Sequence, residues 1–282
     1  MFMIFWIASY PKSGNTWLRT LISAYYYSKD GVFNESLIKN IGQFPEKKHF
    51  QGFDYIPKLV IDTTRFWIKA QERINKDKKI RFFKTHNVFG SINNRKFTNK
   101  ENSIGCIYIV RDPRNVITSI KYHYSRNNIN DALKFIKNEK QLIGDLKNPL
   151  SEFDLPTVIS SWKNHFNSWK KIKTNYLLIK YEKLLNKPEE EFSKITNFLE
   201  KISDFKFDKK SISKSITSSN FNLLKNQEKR EGFNEAVKDE FGNPKKFFNL
   251  GPDNNWKKIL DPTVTKDIES NFKHEMEELG YL

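Results

Sequence analysis

The stretch YPKSGNTW, residues 10–17, follows directly on the apolar run MFMIFWIA, residues 1–8. A run so nearly all apolar reads as a fully buried strand of a parallel sheet. After the turn, TWLRTLISAYYYS, residues 16–28, spaces its apolar residues as a helix does. Strand, glycine-containing turn and helix, in that order, make a phosphate-binding βα unit. Two readings of the turn stand side by side. In one it is a plain connection, with Ser13 or Asn15 capping the helix. In the other it is a cradle for an anion. The first N–H groups of a helix point outward and its dipole favours negative charge there. Gly14 lets the backbone come close to an anion, Lys12 adds a full positive charge, and Ser13 and Thr16 offer hydroxyl donors. The Walker A pattern GxxxxGK[ST] is absent.

Further strands follow at a spacing that leaves room for helices between them. KIRFFKTH predicts a strand over residues 80–84, SIGCIYIVRDP one over 104–110, and YLLIKYEKLL one over 176–179. PRNVITSIKYHYS opens a helix with Pro113 at or near its first position. Residues 157–173 read as an amphipathic helix carrying Trp162, Phe166 and Trp169. NKPEEEFSKITNFLE places acids in a first helical turn, as the dipole favours. Residues 30–58 read as irregular, 203–256 as polar loops around short helices, and 262–279 as a charged helix. Strands alternating with helices predict an α/β fold with a mostly parallel sheet. With no linker visible in 282 residues, one domain over 1–282 is expected.

Composition bounds the rest. Hydrophobic residues make up 38% and aromatic ones 15%, enough for a packed core. Lys and Arg number 49 against 33 Asp and Glu, which suits an anionic ligand, a nucleic acid or an acidic surface, or reflects a solvated Lys-rich exterior. The single cysteine, Cys106, sits in an apolar run and reads as a small buried hydrophobe. No zinc-type cysteine spacing occurs. The apolar start is too short to span a bilayer and lacks a basic flank, so a cytoplasmic protein without an integral membrane segment is expected.

Two more groups of residues carry chemistry. Arg111 ends a buried strand, where open α/β sheets bind ligands, and Ser119 lies about two turns into the following helix. The competing reading pairs Arg111 with its neighbour Asp112. Lys84 and His86, two apart in an extended segment, point to the same side. One brings fixed positive charge, the other a proton acceptor that works near neutral pH. His123 and His165 fall in helical segments and read as structural.

Taken together and in order, these segments resemble the cytosolic-type sulfotransferase superfamily, in a bacterial-like form with a short N-terminus. YPKSGNTW resembles the family's 5′-phosphosulfate loop and YIVRDPRNVITS its 3′-phosphate segment. KTH falls where the family carries its catalytic Lys and His. YEKL from Tyr181, SNF from Ser219 and FFNLGPDNNWKKIL from Phe247 align in order, so the resemblance covers nearly the whole chain. It implies a three-layer, P-loop-NTPase-like α/β fold. It also implies transfer of the sulfuryl group of 3′-phosphoadenosine 5′-phosphosulfate (PAPS) to a hydroxyl or amine, without a metal.

The resemblance also implies roles. Lys12 would bind the bridging region of the phosphosulfate, and the backbone from Ser13 through Gly14 and Asn15 to Thr16 the 5′-phosphate. Trp17 would stack on adenine; Arg111 and Ser119 would hold the 3′-phosphate. Tyr181, Ser219 and Phe221 would line the nucleoside pocket, with Leu250 and Gly251 closing over the 3′-phosphate. Lys84 would stabilise the moving sulfuryl group and His86 would deprotonate the acceptor. The loop departs from the family at Asn249 and Leu250, where many relatives carry the Arg and Lys of RKG; Lys245 or Lys246 is the candidate replacement. The competing classes are a P-loop-like kinase, against which the missing Walker A spacing speaks, and a basic nucleic-acid-binding protein, whose signature motifs are absent. The expected partners are PAPS, its product PAP and an unidentified hydroxyl acceptor, a small molecule or a glycan, with no nucleic acid. The acceptor would be bound by loops near 30–60, 87–100, 125–155 and 225–247.

Overall fold

The apolar runs form strands of one sheet. The computed structural model describes residues 4–124, 126, 128–144, 155–203, 208–233, 235–236 and 242–282. The strands are β1 (Ile4–Ala8), β2 (Gly42–Gln43), β3 (Arg81–Thr85), β4 (Ser103–Val110) and β5 (Asn175–Lys180). They lie in the order β2-β3-β1-β4-β5, and every neighbouring pair is parallel. Residues 1–3 of the first expected strand lie outside the described residues.

The continuous apolar character of β1 has a direct cause: both of its faces are covered. Side chains alternate across a strand. Ile4, Trp6 and Ala8 therefore join one buried cluster and Phe5 and Ile7 the other. The helices include α1 (Asn15–Tyr27), α2 (Pro113–His123), α3 (Trp162–Trp169), α4 (Pro188–Ile202), α5 (Lys209–Ser218) and α6 (Phe221–Glu231). Leu18, Leu21 and Ile22 of α1 and Phe192 and Ile195 of α4 pack on the Phe5 face. Val116 and Ile120 of α2 and Trp162 and Trp169 of α3 pack on the Trp6 face. This is the expected three-layer α/β arrangement. Cys106 is fully buried in β4, as expected, and burial raises its thiol pKa well above the ordinary value. Among the described residues no helix is long and apolar enough to cross a membrane.

The topology positions the site. After β1 the chain runs to the sheet edge, returns through β2 and β3 to one side of β1, then crosses to β4 on the other. The crevice beyond the carboxyl end of β1 is thus a switch in strand order, where such sheets bind ligands. In register, Ala8 pairs with Thr85 of β3 and Tyr108 of β4. The segments bearing Lys12, His86 and Arg111 leave these adjacent strand ends.

Four expectations change. Residues 30–58 contain β2, whose Gly42 and Gln43 pair with Phe83 and Lys84. Of residues 157–173 only Trp162–Trp169 is helical, capped by Ser161, while Thr157–Val158 pairs antiparallel with Leu142–Ile143. Within 203–256 the helices α5 and α6 are three turns long or nearly so, not short. The last helix is two, Pro262–Asn271 and Lys273–Glu278, parted at Phe272, whose ring is buried in the core.

Candidate active site

The turn after β1 settles into a form that leaves α1 open at its start. Lys12 and Gly14 take the left-handed backbone conformation, at φ 66° and 101°. Gly14 is the N-cap, and no side chain caps the helix. Asn15, one expected cap, turns inward and donates to the Ile7 carbonyl at 3.0 Å and to Ser9 Oγ at 3.2 Å. The capping reading therefore fails: the first N–H groups of a 13-residue helix have no side-chain cap. Gly14 also has no room for a side chain, since a Cβ there would lie 2.6 Å from the Tyr181 ring. Gly14→Ala should cost about 2 kcal/mol, read as a Tm lower by roughly 5 °C. An unchanged melting curve would show that the Tyr181 ring simply moves aside.

Arg111 is buried beside this turn. Its guanidinium donates to the Lys12 carbonyl at 3.4 Å and the Gly251 carbonyl at 3.2 Å and lies 4.1 Å over the Tyr181 ring. Its Nε is buried without a hydrogen-bond partner in the protein. The alternative pairing with Asp112 does not form. Asp112 instead accepts from Arg114, with Nη2 at 2.7 Å from Oδ2, and caps α2 through the Arg114 N–H. Ser119, on α2, accepts at its Oγ from Asn254 Nδ2 at 3.1 Å.

His86 is held in one tautomer. Its Nδ1 is 2.7 Å from the Ser9 carbonyl oxygen, which can only accept, so Nδ1 carries the proton and Nε2 the lone pair. Burial first, and the Lys84 charge second, push the ring pKa well below 6.5. His86 is therefore a neutral base at physiological pH. His165 supports it from behind, as its structural reading implied. Its Nε2 donates to the His86 carbonyl at 3.1 Å and its Nδ1 accepts from the Tyr108 hydroxyl at 2.8 Å.

One cavity of about 670 Å³ collects these groups. Lys12, Gly14, Asn15, Thr16, Trp17, Lys84, His86, Arg111, Ser119, Tyr181, Phe221, Leu250 and Gly251 all line it. Ser13 and Ser219 do not: both are fully buried with hydroxyls lacking a protein partner, and Ser219 meets the site through its carbonyl, which accepts from Trp17 Nε1 at 3.0 Å. His123, expected to be purely structural, is in fact a wall residue. Its Nδ1 lies 3.4 Å from Lys12 Nζ, and burial and the Lys12 charge bring its pKa down to about 2.

The loop that departs from the family pattern is pinned by a carboxylate. Glu228 of α6 accepts from the Phe247 and Phe248 N–H groups at 2.5 and 2.9 Å. Gly251 at φ 52° presses so closely on Phe221 that a Cβ would lie 2.1 Å from its ring. Lys245 does not replace the missing Arg: it donates to the Tyr122 carbonyl at 3.0 Å, and neither it nor Lys246 lines the cavity.

Arg19 and Glu235 also bear on the site and were invisible in the sequence. Glu235 accepts from Thr16 Oγ1 at 3.0 Å, pairs with Arg19 of α1 and meets Lys84 at 3.3 Å. Burial alone would raise its carboxyl pKa, but Arg19 and then Lys84 override that and hold it below the usual carboxylate range. Nothing within 10 residues of Glu235 in the chain announces a pairing that spans 216 positions. Among the described residues no three or more His, Cys, Asp or Glu gather as a metal site would require.

Comparison with known proteins bears on the family and the fold. A family model described as sulfotransferase domain matches residues 4–280. Among solved structures, a mouse sulfotransferase, SULT7A1, complexed with PAP superposes with a TM-score of 0.61 at 20% identity, over 98% of this chain and 85% of that one. Retinol dehydratase in complex with androsterone and PAP superposes with a TM-score of 0.58 at 17% identity, over 97% and 80% of the two chains. At such identities the superpositions show the shared fold. No curated protein matches the chain by sequence.

Proposed function

Since the chain belongs to the sulfotransferase family, we propose that residues 1–282 act as one domain that moves the sulfuryl group of PAPS to a hydroxyl or amine of a small molecule or glycan. The observation that carries this reading is the convergence of Lys12, His86 and Arg111 on one cavity beyond three adjacent strand ends. The residues fit the donor. An uncapped helix start and a glycine without room for a Cβ make an anion cradle, and the unpartnered Arg111 Nε offers a further donor.

PAPS, when bound, supplies the sulfuryl group on a phosphosulfate anhydride. The N–H groups from Ser13 to Thr16 hold the 5′-phosphate. Trp17, Tyr181, Phe221 and the Ser219 backbone enclose the nucleoside. Arg111, Ser119 and the Leu250–Gly251 backbone take the 3′-phosphate. Lys12 and Lys84 balance negative charge on the leaving and equatorial oxygens, the main task in a transfer of this kind. His86 Nε2 accepts the proton of the acceptor hydroxyl as its oxygen bonds to sulfur and the bond from sulfur to the phosphate oxygen breaks. The lysines supply the charge that a metal supplies elsewhere. The family match displaces the kinase alternative.

Calorimetry with PAP, AMP and ATP tests the donor assignment. PAP should bind at least about tenfold more tightly than AMP, because only PAP engages Arg111 through a 3′-phosphate. Equal binding of ATP, or none of PAP, would reduce the reading to a shared fold.

A further inference from the structure

Ile56, Leu59 and Ile61, none of which lines the cavity, stand out of the surface, 55%, 52% and 56% exposed. Single exposed aliphatics are ordinary; three neighbours are not. The stretch that carries them is held in place. The Asp62 carboxylate accepts from the Ile56 N–H at 2.7 Å and from Arg65 at 2.9 Å, and Arg95 donates to the Ile61 carbonyl at 2.8 Å. The backbone thus fixes the aliphatic tips outward rather than folding them in.

Arg65 and Arg95 are tied to the same stretch. Lys58 falls between Ile56 and Leu59 in the chain and is exposed. Beside them is a basin of about 340 Å³, lined by Arg65, Arg95 and Lys96 with Asn94, Asn99 and Glu101; Asp62 pairs with Arg65, and exposed Asp54 precedes Ile56 by two residues. The residues come from two connections. One follows the carboxyl end of β2, and the other, the hairpin Ser91–Ile92 with Arg95–Lys96, follows that of β3. Both connections run on to the amino end of the next strand, and Asn99 and Glu101 of the basin shortly precede Ser103, where β4 begins.

We propose that this face docks the protein on an anionic lipid bilayer, with Ile56, Leu59 and Ile61 entering the acyl boundary and Lys58, Arg65, Arg95 and Lys96 meeting lipid phosphates. Peripheral binding needs both signals, apolar insertion and basic attraction, and both are present here. The excess of 49 Lys and Arg over 33 Asp and Glu adds long-range attraction to the same surface. A soluble anion would engage the basin but leave the aliphatic tips in water.

Sedimentation of the full chain with phosphatidylcholine vesicles, with and without phosphatidylserine, tests this. Binding should require phosphatidylserine and weaken with salt. It should fall about tenfold or more in Ile56→Ser/Leu59→Ser/Ile61→Ser, and likewise in Lys58→Glu/Lys96→Glu. Thermal melting confirms that each variant is folded, and Leu59→Ser alone serves if the triple variant is not. Binding equal to that on phosphatidylcholine alone, or unchanged by loss of the aliphatic tips, would overturn the proposal. So would displacement by inorganic phosphate beyond that of chloride at equal ionic strength.

Discussion

Arg111→Ala is expected to weaken PAP binding about a hundredfold, on the order of 3 kcal/mol, while changing AMP binding by less than about threefold. The reason is the fork of donors. A buried guanidinium that reaches a 3′-phosphate makes charge-assisted bonds, and alanine leaves that phosphate unpaired in a place water cannot fully enter. Arg111 also braces the Lys12 and Gly251 carbonyls and stacks on Tyr181, so a general collapse of the site must be told apart from a lost phosphate contact. AMP makes that distinction. If PAP and AMP weaken alike, Arg111 is a strut between the two loops and not a phosphate ligand. Arg111→Lys, which keeps charge but loses the planar fork, should fall between wild type and alanine.

His86→Ala should lower kcat by about 10²- to 10⁴-fold with PAP binding within about twofold of wild type. Turnover would be followed on a hydroxyl acceptor found by screening. The pH dependence has a definite sign. The His86 pKa is pushed well below 6.5, so the neutral base persists into acid and the acid limb of kcat/KM should lie below pH 6.5. A limb at or above 6.5 would mean that another group limits the rate, and a kcat within threefold of wild type would remove His86 from the chemistry. Stability bounds the same measurement. His49, His123 and His165 are also held neutral by burial, at about 3, 2 and 3. The unfolded chain takes up their protons near 6.5 and the folded chain does not, so stability is full above that pH and declines as the pH falls toward 3. Rates in acid must therefore be read beside a melting curve.

Legibility in the sequence followed the range of the interactions. β1 and β4 were readable because a strand buried on both faces must be apolar along its length, and that demand is local; β3 and β5 were readable from the shorter apolar runs at their centres. The turn at 10–17 was readable because glycine, lysine and a helix start are neighbours in the chain. β2 was not, since Gly42 and Gln43 are a strand only by pairing with Phe83 and Lys84. The helices α5 and α6 were underestimated because their residues are mostly polar and their apolar contacts few: Ile212 and Leu224 are the buried hydrophobic residues of the two.

By itself the sequence determined the run from β1 through a glycine- and lysine-bearing turn into α1, the strands β3, β4 and β5, and the placing of a lysine and a histidine two apart at a strand end. Each follows from residues within a few positions of one another. Tertiary structure alone decided that Arg111 turns from Asp112 to the Lys12 and Gly251 carbonyls, that Nδ1 of His86 is the protonated nitrogen, that His123 joins the cavity wall and that Glu235 ties Thr16, Arg19 and Lys84. These outcomes rest on partners tens to hundreds of residues apart. A buried polar group takes whichever partner the packed chain brings within reach, and no local pattern encodes that choice.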